Sequence, residues 1–206
     1  VAAFYFLLIT TLLQFGRLVA GWIQTNDLLQ IMSYSGHGVE EDRIFLFLDM
    51  RASTRHAERL GPPLYSDLIR DSFRDMGNAA IQNKAELYQY VGDEVVFTWN
   101  TSTENFRHAV DLYFQFNKTL KARSSYYLNK YDIVPHFKGG IHQGKVVRVM
   151  VSVNRNATAY HGDVVNTAAR IQSKCNDLGC NLLVSAATTE NVSHHYSVYS
   201  KVSFQF

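Results

Sequence analysis

The chain has 206 residues, a formal net charge of +2, 47% hydrophobic and 18% charged residues, and three prolines. That length buries a core without metal or disulfide staples, and the composition excludes a disordered, collagen-like or low-complexity chain. The 20 Lys and Arg are interspersed with 18 Asp and Glu and form no basic block, so the charge pattern asks for no nucleic acid. Cys175 and Cys180 are the only cysteines. They are too few for a disulfide framework, and their spacing lacks a second half for a metal site, so a reducing compartment is expected.

Val1 to Phe15 carries no charge, and the first charged residue is Arg17. As a helix rising about 1.5 Å per residue, Val1 to Gly16 spans roughly 24 Å, short of the ~30 Å hydrocarbon core of a bilayer. The chain starts at Val. It therefore reads as a fragment whose earlier residues complete the span, and the stretch is expected to be the inner end of a transmembrane helix. A helix buried at a dimer interface is the alternative. A secretory signal fits poorly, because no basic region precedes the apolar run. Leu18, Trp22, Leu28, Leu29 and Met32 then fall at helical spacing, and Ser33-Tyr-Ser-Gly-His-Gly38 is turn chemistry. The expected organisation is a membrane-proximal helical part over 1–32, a linker over 33–42 and a globular domain over 43–206.

Arg43-Ile-Phe-Leu-Phe-Leu48 is a continuous apolar run that suits a strand buried on both faces, ending at Asp49. Ser53 or Thr54 is expected to cap a helix, and Gly61-Pro62-Pro63 to break it and start a second, with Leu64, Leu68, Ile69, Phe73 and Met76 on one face. Glu86–Val91 and Glu94–Trp99 are β-branched and aromatic runs separated by Gly92-Asp93, a hairpin signal. Phe106–Leu120 keeps helical spacing. His136–Ile141 and Lys145–Val153 read as two strands flanking Gly144, Asp163–Leu178 as a helix and Asn181–Val184 as a strand. The order β-α-α-β-β-α-β-β-α-β predicts an α+β fold. Its natural architecture is a ferredoxin-like, split βαβ arrangement with helices on one face of a mainly antiparallel sheet.

In that arrangement the first strand lies centrally beside the hairpin, so Asp49 at its end and Asp93 in the turn converge. Singly, either reads as a cap or turn former. Paired carboxylates at strand ends suit Mg²⁺ or Mn²⁺, hard cations completed by water and substrate phosphates, which points to polyphosphate chemistry. Asn166 and Arg170 lie four apart on a predicted helix and share a face. Arg suits charge building on phosphate oxygens and Asn can orient a ribose or base, though a solvated helix face has the same spacing. The histidines are scattered without zinc-ligand spacing, apart from the adjacent His194 and His195.

Four segments together resemble the class III nucleotidyl cyclase catalytic domain. They are Phe47-Leu-Asp49-Met-Arg-Ala-Ser-Thr54, Tyr90-Val-Gly-Asp93-Glu94, Gly140-Ile-His-Gln-Gly144-Lys145 and Gly162-Asp-Val-Val-Asn166-Thr-Ala-Ala-Arg170. They run in order from about Arg43 to Ser185, with the spacing between Asp49 and Asp93 and the Asn-to-Arg spacing as the family has them. The apolar N-terminus resembles membrane-anchored bacterial members, which implies anchoring in the inner (plasma) membrane with the catalytic domain in the cytoplasm.

The resemblance implies that Asp49 and Asp93 bind two Mg²⁺ or Mn²⁺ ions per site. Main-chain amides of Met50, Arg51, Ala52, Ser53 and Thr54 would cradle phosphates, with Lys145 a further phosphate contact. Asn166 would orient the ribose and Arg170 would stabilise charge at the α-phosphorus. It implies a homodimer whose sites take the metals from one chain and the Asn and Arg from the other.

The expected reaction is ATP to 3′,5′-cyclic AMP and pyrophosphate. Two positions depart from the family pattern. Where adenylyl members place a Lys and an Asp or Thr for base recognition, this chain has Gln89 and Ala159. ATP is favoured because the Glu expected of guanylyl members is also missing. GTP turnover is one alternative, and a catalytically degenerate cyclase-fold regulatory or dimerisation domain is the other. Tyr196 to Phe206 supplies one strand but no match to the family's late phosphate-binding Lys, for which Lys201 is a poor candidate. No Gly-Gly-Asp-Glu-Phe segment of a diguanylate cyclase is present, since Val91 precedes Gly92 and Val95 follows Glu94.

Overall fold

The computed structural model describes residues 38–152 and 157–189. They form β1 (Val39–Met50), α1 (Ser53–Gln82), β2 (Glu86–Val91), β3 (Glu94–Asn100), α2 (Thr103–Ala122), α3 (Ser124–Tyr131), β4 (Phe137–Ser152), β5 (Ala157–His161), α4 (Asp163–Asp177), β6 (Leu182–Val184) and the short α5 (Ala186–Thr189). The apolar N-terminal stretch, Tyr196 to Phe206 and Lys201 lie outside the described residues. Among those described, no helix is long and apolar enough to cross a membrane.

The sheet runs β2-β3-β1-β4-β5, with β6 parallel to β4 at Gly139↔Leu182 to Ile141↔Val184. β1 is central and antiparallel to β3 from Arg43↔Asn100 to Leu48↔Val95. Its run alternates as expected of a strand buried on both sides. Ile44, Leu46 and Leu48 join Leu68 and Met76 of α1, Phe116 of α2 and Tyr127 of α3 in one core, while Phe45 and Phe47 join a second. The second core contains Val164 and Ala168 of α4. Helices therefore gather on one face for α1 to α3, and α4 departs from that rule by covering the other.

Several boundaries differ from the sequence reading. β1 starts at Val39, so its first residues fall in the stretch expected as linker. Ser53 and Thr54 do not cap α1. Its N-cap is Ala52, at φ 54 and ψ 32, and no side chain bonds the first turn. The break at Gly61 is real: φ 72 and ψ 164 interrupt α1, and Pro62 and Pro63 follow without N–H groups to continue the ladder. β4 runs unbroken through Gly144 instead of forming two strands, because its hairpin partner is β5. Helix α3 is absent from the sequence reading.

By internal packing the chain divides into a body, Glu40–Val147 with the chain from Tyr160 onward, and a smaller unit that includes Arg148–Ala159. The described part of that segment comprises the distal ends of β4 and β5.

Candidate active site

The β1–β3 register ends at Leu48↔Val95, which brings the last residues of β1 level with the β2–β3 turn. Gly92 makes that turn at φ 63, a conformation glycine adopts without strain. Asp49 and Asp93 meet there. Burial pushes the Asp93 carboxyl above its ordinary pKa, the adjacent Asp49 carboxyl pushes it further, and the Ser53 hydroxyl opposes. Asp93 Oδ2 is buried with no hydrogen-bond partner. Two neighbouring carboxylates, one with an orphaned buried oxygen, form a donor set that fits a hard divalent cation.

Among the described residues no cluster of three or more His, Cys, Asp or Glu could hold a metal. The pair therefore depends on oxygens from substrate and water to complete a coordination shell, as magnesium sites at phosphates commonly do.

Four further groups surround the pair: Glu94, which the sequence places beside Asp93 in a resembling segment without a role, and Lys138, Gln172 and Tyr65, which sequence reasoning missed. Lys138, on β4 and only 7% exposed, places Nζ 3.1 Å from Asp49 Oδ2. Gln172, buried on α4, donates from Nε2 to the same oxygen at 3.2 Å. Glu94 titrates above its usual range through burial and the charges of Asp49 and Asp93, with Lys138 opposing. The Tyr65 hydroxyl is raised by burial and by Asp93, and Ser53 bonds to it. Tyr65 lies beyond the Gly61 break on α1 and Lys138 and Gln172 on distant elements, so no local spacing connects them to Asp49.

The expected phosphate cradle divides. The Arg51 amide donates to His136 O at 2.8 Å, and the Arg51 guanidinium reaches Asn176 Oδ1 and the Cys180 carbonyl. Arg51 thus braces β1 against the far end of α4. Met50 is buried in the core at the end of β1. Ala52, Ser53 and Thr54 open α1, whose first turn has no side-chain cap and no acidic residue, an arrangement open to an anion.

Lys145 is not brought to the Asp pair. Its Nζ bonds Glu40 Oε1 at 2.8 Å. Glu40 and Asp49 are nine residues apart on β1, roughly 30 Å at ~3.3 Å per strand residue. Asn166 and Arg170 are both exposed on α4. Gln172 points from the buried face of the same helix to Asp49. Gln89 is half-buried on β2, next to a register shift between Leu87 and Gln89. Ala159 belongs to the smaller unit.

Residues 40–204 match the family described as the adenylate and guanylate cyclase catalytic domain. The chain belongs to that family. It is 30% identical over 149 residues to adenylate cyclase 2 of Rhizobium meliloti (strain 1021), covering 72% of this chain and 41% of that relative. The fold is similar to the crystal structure of the adenylyl cyclase CyaB from P. aeruginosa, with TM-score 0.67 and 18% identity over 78% of this chain and 84% of that one. It is likewise similar to the guanylyl cyclase Cya2, with TM-score 0.73 and 19% identity over 82% of this chain and 87% of that one. The chain spans less than half the length of the curated relative.

Proposed function

We propose that this chain is the catalytic domain of a nucleotidyl cyclase that converts ATP to 3′,5′-cyclic AMP and pyrophosphate as a homodimer. The observation that carries the reading is the meeting of Asp49 and Asp93, with Asp93 Oδ2 buried and unbonded, beside the open start of α1. The adenylate cyclase name of the 30% identical relative supports ATP over GTP.

Asp49 and Asp93 would hold Mg²⁺ or Mn²⁺. When bound, those ions supply the positive charge that acidifies the ribose 3′-hydroxyl and neutralises the triphosphate. The amides of Ser53 and Thr54 receive phosphate oxygens at the positive end of α1. Asn166 of the second chain orients the ribose, and Arg170 of that chain matches the charge that grows on the α-phosphate oxygens in the transition state. The 3′-oxygen forms its bond to the α-phosphorus as the bond to the bridging oxygen breaks, the hydroxyl proton passes to solvent, and pyrophosphate leaves. Lys138, 3.1 Å from Asp49, balances that carboxylate in the absence of a cation.

Turnover of ATP and of GTP with Mn²⁺ tests the reading, with cyclic product quantified by chromatography. Cyclic AMP is expected from the wild-type chain, and Asp93→Ala is expected to lower the rate at least a hundredfold. Unchanged turnover in that variant would refute the assignment of Asp93. A preference for GTP would transfer the reading to a guanylyl cyclase, an alternative that Gln89 and Ala159 leave open, since they match neither the adenylyl nor the guanylyl pattern at the base-recognition positions.

A further inference from the structure

Gln172 is a buried amide, 4% exposed, and it reaches across from α4 to a carboxylate 123 positions earlier in the chain. The approach is built into the backbone. Gly140 of β4 lies so close to α4 that a Cβ there would meet the Gln172 backbone nitrogen at 2.4 Å. Asp49 Oδ2 receives two donors, Gln172 Nε2 at 3.2 Å and Lys138 Nζ at 3.1 Å. The two differ in charge. Lys138 repels an arriving cation, whereas an amide orients the carboxylate without reducing its negative charge and can stay in place when the cation binds.

On α4, Gln172 lies about 200° round the helix from Arg170 and about 240° from Asn166, at ~100° per residue. One helix therefore presents Asn166 and Arg170 outward and holds Asp49 from its inner face.

We propose that Gln172 is a positioning residue: its amide fixes the Asp49 carboxylate for divalent cation binding and ties the helix carrying Asn166 and Arg170 to that carboxylate. The inference rests on the reading of Asp49 as a metal ligand. Groups that hold a metal-binding side chain from behind typically alter metal affinity or activity by about 10–100-fold when removed.

The test is Mn²⁺ binding to the full chain without nucleotide, followed by loss of the free-ion electron paramagnetic resonance signal. Gln172→Met and Gln172→Leu remove the donor and keep an apolar side chain of similar volume in its place. The expected result is Mn²⁺ binding weakened about tenfold, with no loss of melting temperature in the absence of metal. In turnover, the Mn²⁺ concentration for half-maximal rate rises while KM for ATP at saturating Mn²⁺ is unchanged. Should the branched variant fail to fold, the unbranched Met variant carries the comparison. Asp49→Asn is the control and is expected to abolish binding. Binding within twofold of wild type in a folded Gln172 variant, with binding lost in Asp49→Asn, overturns the role of Gln172 and leaves the metal reading standing. Wild-type binding by Asp49→Asn overturns the metal reading, and the inference falls with it.

Discussion

Ala52 occupies the left-handed region at φ 54, at the junction where β1 hands the chain to α1. A side chain there crowds the following carbonyl, at a cost of roughly 1–2 kcal/mol, of which glycine would recover part after its own larger loss of freedom on folding. Ala52→Gly is therefore expected to stabilise the chain by about 0.5 kcal/mol in urea unfolding. A destabilised variant would show that the alanine methyl makes a compensating contact. At this scale Asp49 and Asp93 are legible in the sequence, because an apolar run and a two-residue turn fix where each carboxylate ends up. Lys138 and Gln172 are illegible, since their meeting with Asp49 depends on the placement of β4 and α4, which no local spacing encodes. Lys145 illustrates the converse. Its place in a signature segment marks it as a phosphate contact, but the length of β1 carries it away to Glu40.

Helix α3 shows the same limit for an element. Ser124-Ser-Tyr-Tyr-Leu-Asn-Lys-Tyr131 has no aliphatic stripe, so periodicity passes over it. Its buried face is made of tyrosines, which can enter a core only if their hydroxyls find partners. Those partners are carboxylates of α1. Asp71 Oδ2 accepts from Tyr126 at 2.6 Å, Tyr131 at 2.5 Å and Lys130 at 2.9 Å, and Asp75 accepts from Tyr127 at 2.6 Å and from Arg123. Burial works to raise the Asp71 pKa, but the three donors outweigh it and hold the carboxyl well below its ordinary value. Burial and Asp71 together push the Tyr131 hydroxyl up to about 12.

A depressed carboxylate contributes stability that is complete above its unfolded pKa of ~3.9 and is lost as pH falls towards the folded value. Asp71→Asn is therefore expected to cost about 2–4 kcal/mol at pH 7, and the gap between wild type and variant to narrow as urea unfolding is repeated from about pH 5 downwards. A gap independent of pH would mean that shape, not charge, holds α3 to α1. The hairpins follow a related logic. Gly92-Asp93 announces its turn, whereas Gly144 looks like a second turn and is not one. Its lack of a side chain serves close packing, because a Cβ there would meet Val164 Cγ2 of α4 at 2.8 Å.

For the molecule as a whole, the central position of β1 beside the β2–β3 hairpin follows from the alternation of apolar runs and turns, and it is what the structure has. The covering of the second sheet face by α4 was not legible, because its apolar positions name a buried face without saying which layer buries it. The proposed homodimer makes a specific prediction. Asp93→Ala and Arg170→Ala chains are each expected to be inactive alone, and an equal mixture to recover roughly a quarter of wild-type turnover, because random pairing makes half of the dimers mixed and each mixed dimer has one intact site. Mixtures no more active than the separate variants would place both residues in a site formed by one chain.

The contact between Gln172 and Asp49 has a last consequence for such an assembly. If α4 lends Asn166 and Arg170 to the second chain as proposed, its grip on Asp49 would link the two pockets mechanically. Cation binding at one would then alter the alignment offered to the other, and the expected sign is a metal dependence of turnover that is not a simple hyperbola; a hyperbolic curve would mean the two pockets act independently.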